Sequence, residues 1–134
     1  MVRVMIIEDD EGMRSLLTDF LEDEGFETDS ASNGFETLRM LSKDHFDLVI
    51  TDIGMPGLTG LDILPTIRRL KPGTPIIVMS AYGGGDLRRR SLERGASIYL
   101  EKPIRLIELR SVIREVVLRK SLEQIGPTIN RTRE

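Results

Sequence analysis

The sequence predicts a doubly wound α/β domain: a five-stranded parallel sheet of order 2-1-3-4-5 covered by five helices. Three observations carry that prediction. Across 134 residues, short β-branched runs alternate five times with stretches of helical periodicity, the pattern of successive βαβ units. The runs VMII, LVIT and PIIVM are nearly free of charge, as strands buried on both faces require. No repeat or linker interrupts the alternation, and right-handed crossovers then leave few topologies. In a sheet of this order, ligands sit at the carboxyl ends of the strands.

The elements follow in turn. Arg3 to Ile7 is a short apolar strand, and Met13, Leu16, Leu17, Phe20 and Leu21 then form one face of a helix that Gly25 ends. Residues 26–31 are a more polar strand. Ser32 and Asn33 are candidate caps for a helix carrying Phe35, Leu38 and Leu41. Residues 46–51 form the third strand. Thr59-Gly-Leu-Asp62 resembles a capping box opening a helix to about residue 70, and Pro72-Gly73 stops that helix. Pro65, two turns in, removes an N–H and should kink it. Residues 75–79 are the fourth strand, 86–94 an arginine-rich helix closed by Gly95, and 97–100 the fifth strand. Leu106, Leu109, Ile113, Val116 and Val117 stripe the last helix. Residues 1–122 are expected to form the folded domain and 123–134 a poorly ordered tail or the start of a linker.

Composition narrows the function classes. The chain is 40% hydrophobic and 31% charged, an ordinary balance for one globular domain. No apolar run nears the roughly 18 residues needed to span a bilayer, and the amino terminus lacks the layout of a signal peptide, so cytoplasm is the expected location. Zero cysteines exclude disulfides and thiolate zinc sites, and a single histidine, His45, leaves little for a histidine-rich metal site. The net charge of −3 hides a polarity: residues 1–62 carry −11 and residues 63–134 carry +8. Arg88-Arg89-Arg90 reads as a solvated helix face, since no aromatic interleaving or DNA-reading motif accompanies it. Gly83-Gly84-Gly85 lacks the lysine and hydroxyl residue of a nucleotide phosphate loop.

The chemistry collects at the strand ends. Strand one ends in Glu8-Asp9-Asp10, strand three in Asp52, strand four in Ser80-Ala81 and strand five in Glu101-Lys102-Pro103. Strands one, three, four and five adjoin on the expected sheet, so acids, a hydroxyl and an ammonium converge. Clustered carboxylates raise one another's pKa unless compensated. A hard divalent cation such as Mg²⁺ compensates them and keeps several waters. Asp9 and Asp52 can supply one ligand each, the carbonyl of Gly54 a third, and Glu8 acts through a metal-bound water. Such a site suits phosphoryl transfer, with Asp52 as the nucleophile that becomes an aspartyl phosphate. Ser80 would donate to one phosphoryl oxygen and Lys102 neutralise another.

The segments VMIIEDDEGMR, DLVITDIGMPGLTG, PIIVMSAY and GASIYLEKPI, in that order and spacing, resemble the receiver domain of two-component response regulators. The resemblance covers residues 2 to about 120. It implies the flavodoxin-like fold, with Glu8 and Asp9 as the acidic pair and Asp52 accepting phosphate from a sensor histidine kinase or phosphotransfer protein. It also implies a cis peptide at Lys102-Pro103. In the implied switch Ser80 moves inward to the phosphate and Tyr99 rotates into the space behind it. That reshapes the face of the fourth helix, fifth strand and fifth helix for a downstream protein, an output domain or a second copy of the chain. Direct binding of nucleic acid or membrane is not expected. This sequence departs from the family pattern in Ser80 for the commoner threonine and in the bare Gly54, for which Tyr82 could substitute as cover. Two rivals remain open at this point. One is a Mg²⁺-dependent phosphatase working through an aspartyl phosphate, for which the run after strand one lacks the Asp-x-Asp pattern. The other is a degenerate receiver that binds partners without phosphate, against which the intact set Glu8, Asp9, Asp52, Ser80 and Lys102 stands.

Overall fold

A computed structural model of the chain describes residues 1–53, 60–81 and 85–133. The elements run β1 (Arg3–Ile7), α1 (Glu11–Asp23), β2 (Glu27–Ala31), α2 (Gly34–Lys43), β3 (Leu48–Asp52), α3 (Gly60–Leu70), β4 (Ile76–Ser80), α4 (Gly85–Glu93), β5 (Ile98–Glu101) and α5 (Leu106–Arg133). All four strand pairings are parallel, and the order is β2-β1-β3-β4-β5. This is the doubly wound parallel sheet that the alternation predicts, with the flavodoxin-like order that the resemblance implies. The chain forms two compact units, Met1–Pro103 and Ile104–Glu134.

In the first unit the sheet is buried on both faces, which explains why its inner strands show no polar alternation. Met5, Ile7, Val49, Ile76, Val78 and Tyr99 join Leu41, Phe46, Leu61, Leu64 and Ile67 in one core. The alternate residues Val4, Ile6, Leu48, Ile50, Ile77 and Met79 are buried as well and point to the opposite face. Each such side chain stabilises the fold by roughly 1.5–3 kcal/mol relative to exposure. On the first face α2 neighbours α3 and α3 neighbours α4, while α1 lies along β1 and β2.

Local chemistry sets the helix ends. Asp10 caps α1, accepting from the Met13 amide at 2.7 Å, and Asn33 caps α2, accepting from the Glu36 amide at 2.8 Å. Of the two candidates at α2, the cap is therefore Asn33. Gly25 and Gly95 take φ of 90° and 120° and close α1 and α4. At α4, Gly95 N donates to Leu92 O and Ala96 N to Ser91 O, the paired bonds of a Schellman ending. A side chain at 95 would also strike Arg68, whose Cβ lies 3.0 Å from where a Cβ would stand.

Three residues of the predicted stripes face solvent instead. Leu16 is 48% exposed, Phe35 72%, and Leu106 also lies outside. Only Leu17 and Leu21 are fully buried on α1, and Gly34, Thr37 and Leu41 on α2. A 3.6-residue stripe is wider than the arc the sheet covers, so its margins stay wet. Pro65 lies inside α3, which continues through it to Leu70. Thr59, the first residue of the expected capping box, lies outside the described residues. In the second unit α5 is one helix running beyond Val117 and Gln124 to Arg133, with Leu109, Ile113 and Val116 buried.

Candidate functional site

Four strands end at the same level. Ile7 pairs with Thr51, Asp52 with Met79, and Ser80 with Glu101, so the residues just beyond them share one rim. The polar residues Glu8, Asp52, Ser80 and Lys102 are therefore gathered by register alone. Glu8, Asp9 and Asp52 each offer a carboxylate oxygen, and these oxygens lie within 4.8 Å of one another. Lys102 closes the cluster, with Nζ 3.2 Å from Glu8 Oε1 and 3.6 Å from Asp52 Oδ1. The Lys102 amide donates to the Ser80 carbonyl at 2.7 Å, which ties the β5 end to the β4 end.

Burial grades the acids. Glu8 is 1% exposed and Asp52 8%, whereas Asp9 is exposed. Burial pushes the Glu8 carboxyl up to about 7; the neighbouring Asp52 carboxylate adds to the rise and Lys102 opposes it. Glu8 Oε2 is buried without a hydrogen-bond partner. Asp10 does not join: its carboxylate is spent on the α1 cap, which leaves Asp9 as the acid facing the cluster.

Ser80 is buried at the β4 end, and Tyr99, paired with Val78, is 3% exposed within the core. The Tyr99 ring therefore already lies inside the core. The Lys102-Pro103 peptide is cis. Gly54 and Tyr82 lie outside the described residues. One contact escaped sequence reasoning: Arg14 Nη1 donates to the Glu8 carbonyl at 2.8 Å. The only sequence signal for it is a base on the first turns of α1 after an acidic run.

Comparison with known proteins decides the family. The response regulator receiver domain matches residues 4–114. The chain belongs to this family. Among curated relatives the receiver is 33% identical over 119 residues to sporulation initiation phosphotransferase F of Bacillus subtilis, covering 89% of this chain and 96% of that protein. It is 37% identical over 110 residues to the DNA-binding transcriptional regulator NtrC of a Bradyrhizobium strain, covering 82% of this chain but 23% of that one. The receiver spans between about a quarter and about half of the length of several regulatory relatives it matches. Among solved structures, a CheY-like receiver from Methanospirillum hungatei superposes with a TM-score of 0.89 at 28% identity, over 92% of this chain and 98% of that one. TrrA of Thermotoga maritima, solved with Mg²⁺ and beryllofluoride, gives 0.79 at 35% identity, over 87% and 99%.

The donor set of this receiver fits a hard cation. It offers oxygen only, from three acids of which one is exposed enough to leave room for water, and one buried oxygen has no protein partner. Among the described residues no helix is long and apolar enough to cross a membrane.

Proposed function

We propose that this receiver is a phosphorylation-dependent switch whose acceptor is Asp52. The observation that carries the reading is the approach of Lys102 Nζ to both Glu8 and Asp52 beside the exposed carboxylate of Asp9. A buried acid flanked by an ammonium and two further carboxylates is arranged for charge neutralisation, which phosphoryl transfer needs most. Asp9 and Asp52 would hold Mg²⁺ directly and Glu8 through water, with the Gly54 carbonyl as a further ligand. The bound ion supplies charge neutralisation at the phosphoryl oxygens.

The remaining chemistry belongs to the chain. An Asp52 oxygen attacks phosphorus of a phosphohistidine on a kinase or phosphotransfer protein. The new O–P bond forms as the N–P bond breaks, and the imidazole leaves and takes up a proton. Lys102 shifts from its carboxylate partners toward a phosphoryl oxygen, and the Ser80 hydroxyl donates to another. With Ser80 drawn to the phosphate and Tyr99 packed behind it, the surface of β5 and α4 changes. The phosphate shifts the population only by as much as it fits one state better. Output is contact with a downstream protein or output domain, in the cytoplasm.

Fluorine NMR of beryllofluoride tests the reading. A bound resonance that requires Mg²⁺ and disappears in Asp52→Ala supports it. Binding that survives Asp52→Ala sinks it.

A further inference from the structure

The sheet stops supporting the acidic strand end one residue before the site. The β1–β2 register closes at Ile7↔Ala31, and the Glu8 amide makes the next bond, to the Ala31 carbonyl at 3.0 Å. The Glu8 carbonyl then lies beyond the ladder, and Arg14 Nη1 takes it at 2.8 Å. Arg14 is itself fixed, because its amide donates to the Asp10 carbonyl at 2.9 Å and Asp10 caps the same helix through Met13. Asp9 is therefore the middle residue of a three-residue bridge. Its peptide neighbours are held on one side by Arg14's side chain and on the other by Arg14's main chain.

We propose that Arg14 is a positioning residue for the cation site: by fixing the Glu8 carbonyl it sets the direction of the Asp9 carboxylate. The proposal rests on the reading of Glu8, Asp9 and Asp52 as the Mg²⁺ site. Two effects of the guanidinium oppose each other there. Its positive charge disfavours a second cation nearby, whereas its hydrogen bond holds a ligand in place. A residue that orients a metal ligand from outside the coordination sphere typically changes affinity by about tenfold or more. Arg14 is half-buried and its guanidinium is already engaged by the Glu8 carbonyl. Its charge therefore reaches the site partly screened by water and salt, while its hydrogen bond acts on the ligand's own backbone. Positioning therefore wins, and removing Arg14 weakens Mg²⁺ binding even though it makes the site more negative.

Calorimetric titration with MgCl₂ of wild type, Arg14→Met and Arg14→Lys tests this, with Asp9→Ala as the control that removes a ligand. Arg14→Met is expected to bind Mg²⁺ about tenfold more weakly, with Arg14→Lys recovering part of the loss. In chelator, the unfolding equilibrium constant of Arg14→Met should rise by no more than about fivefold, or about 1 kcal/mol, the cost of leaving the Glu8 carbonyl without its donor. The folded variant's weaker Mg²⁺ affinity, and its partial recovery in Arg14→Lys, are then read separately from a merely structural role. If Arg14→Met does not fold, Arg14→Gln, uncharged and too short to reach the Glu8 carbonyl, takes its place with the same expected loss. Equal or tighter Mg²⁺ binding by the variant overturns the proposal, because charge removal would then be the larger effect. Wild type that binds no Mg²⁺ overturns the site reading itself, and this inference with it.

Discussion

Arg94 Nη1 donates to the main-chain carbonyl of Leu61 at 3.2 Å, and Leu61 stands four residues before Pro65. In an uninterrupted helix that carbonyl would accept from the amide of residue 65, which proline lacks. The same guanidinium lies 3.6 Å from Asp62. An arginine at the end of α4 thus supplies the bond that a proline removed from α3. A second arginine braces the pair from the other side: Arg68 of α3 donates to Gly95 O at 2.6 Å and to the carbonyls of Lys71, Pro72 and Thr74.

The two substitutions Arg94→Met and Pro65→Ala should therefore be coupled. Arg94→Met is expected to cost about 1 kcal/mol, since it leaves the Leu61 carbonyl without its donor. In a Pro65→Ala background residue 65 regains its N–H, and the same change should cost less by about 0.5–1 kcal/mol. Urea unfolding of the four proteins closes the cycle. Additive costs would show that the Leu61 carbonyl does not link them.

Ser91 is the only fully buried residue among the described residues of α4, and its hydroxyl has no hydrogen-bond partner. Ser91→Ala removes an unpaired buried polar group and improves helix propensity, so it should stabilise the protein by about 1 kcal/mol. A higher urea midpoint with an unchanged slope is the expected result. A lower midpoint would mean that the hydroxyl is satisfied in solution.

The raised pKa of Glu8 gives stability a defined pH dependence. Below its unperturbed value of 4.5 the carboxyl is protonated in the folded and unfolded chain alike. Between 4.5 and about 7 the unfolded chain ionises while the folded one holds its proton, so stability falls as pH rises. The loss is on the order of 3 kcal/mol when complete. In chelator, wild type should lose more stability from pH 5 to pH 8 than Glu8→Gln, which cannot titrate. Parallel curves for the two proteins would refute this source of the dependence. Mg²⁺ binding favours the ionised carboxyl, so its affinity should increase over the same interval.

Much of this protein is legible along the chain because its determinants are local. Apolar β-branched runs mark β1, β3 and β4, and a parallel sheet delivers whatever follows a strand to one rim. That Glu8, Asp52, Ser80 and Lys102 share one rim was readable from their places at the strand ends. Asp9 was preferred to Asp10 from strand register, and the structure adds the reason that Asp10's carboxylate is taken up in capping α1. Arg14, Arg68 and Arg94 are another matter. Each acts on a main-chain carbonyl, and a carbonyl leaves no mark in a sequence. For Arg68 and Arg94 the partners lie up to 33 residues away. Leu16 and Phe35 were misplaced because periodicity gives the direction of a helix face but not the width of the surface that covers it. Pro65 was recognised as a break, but its remedy lies on another helix.

Intact mass after incubation with Mg²⁺ and acetyl phosphate, for wild type and Asp52→Ala, tests the central claim most directly. One phosphoryl group on wild type, absent from the variant and from chelated samples, is the predicted result. Phosphoryl addition to Asp52→Ala would contradict it, as would a wild type that gains no phosphoryl group and binds no beryllofluoride in the presence of Mg²⁺.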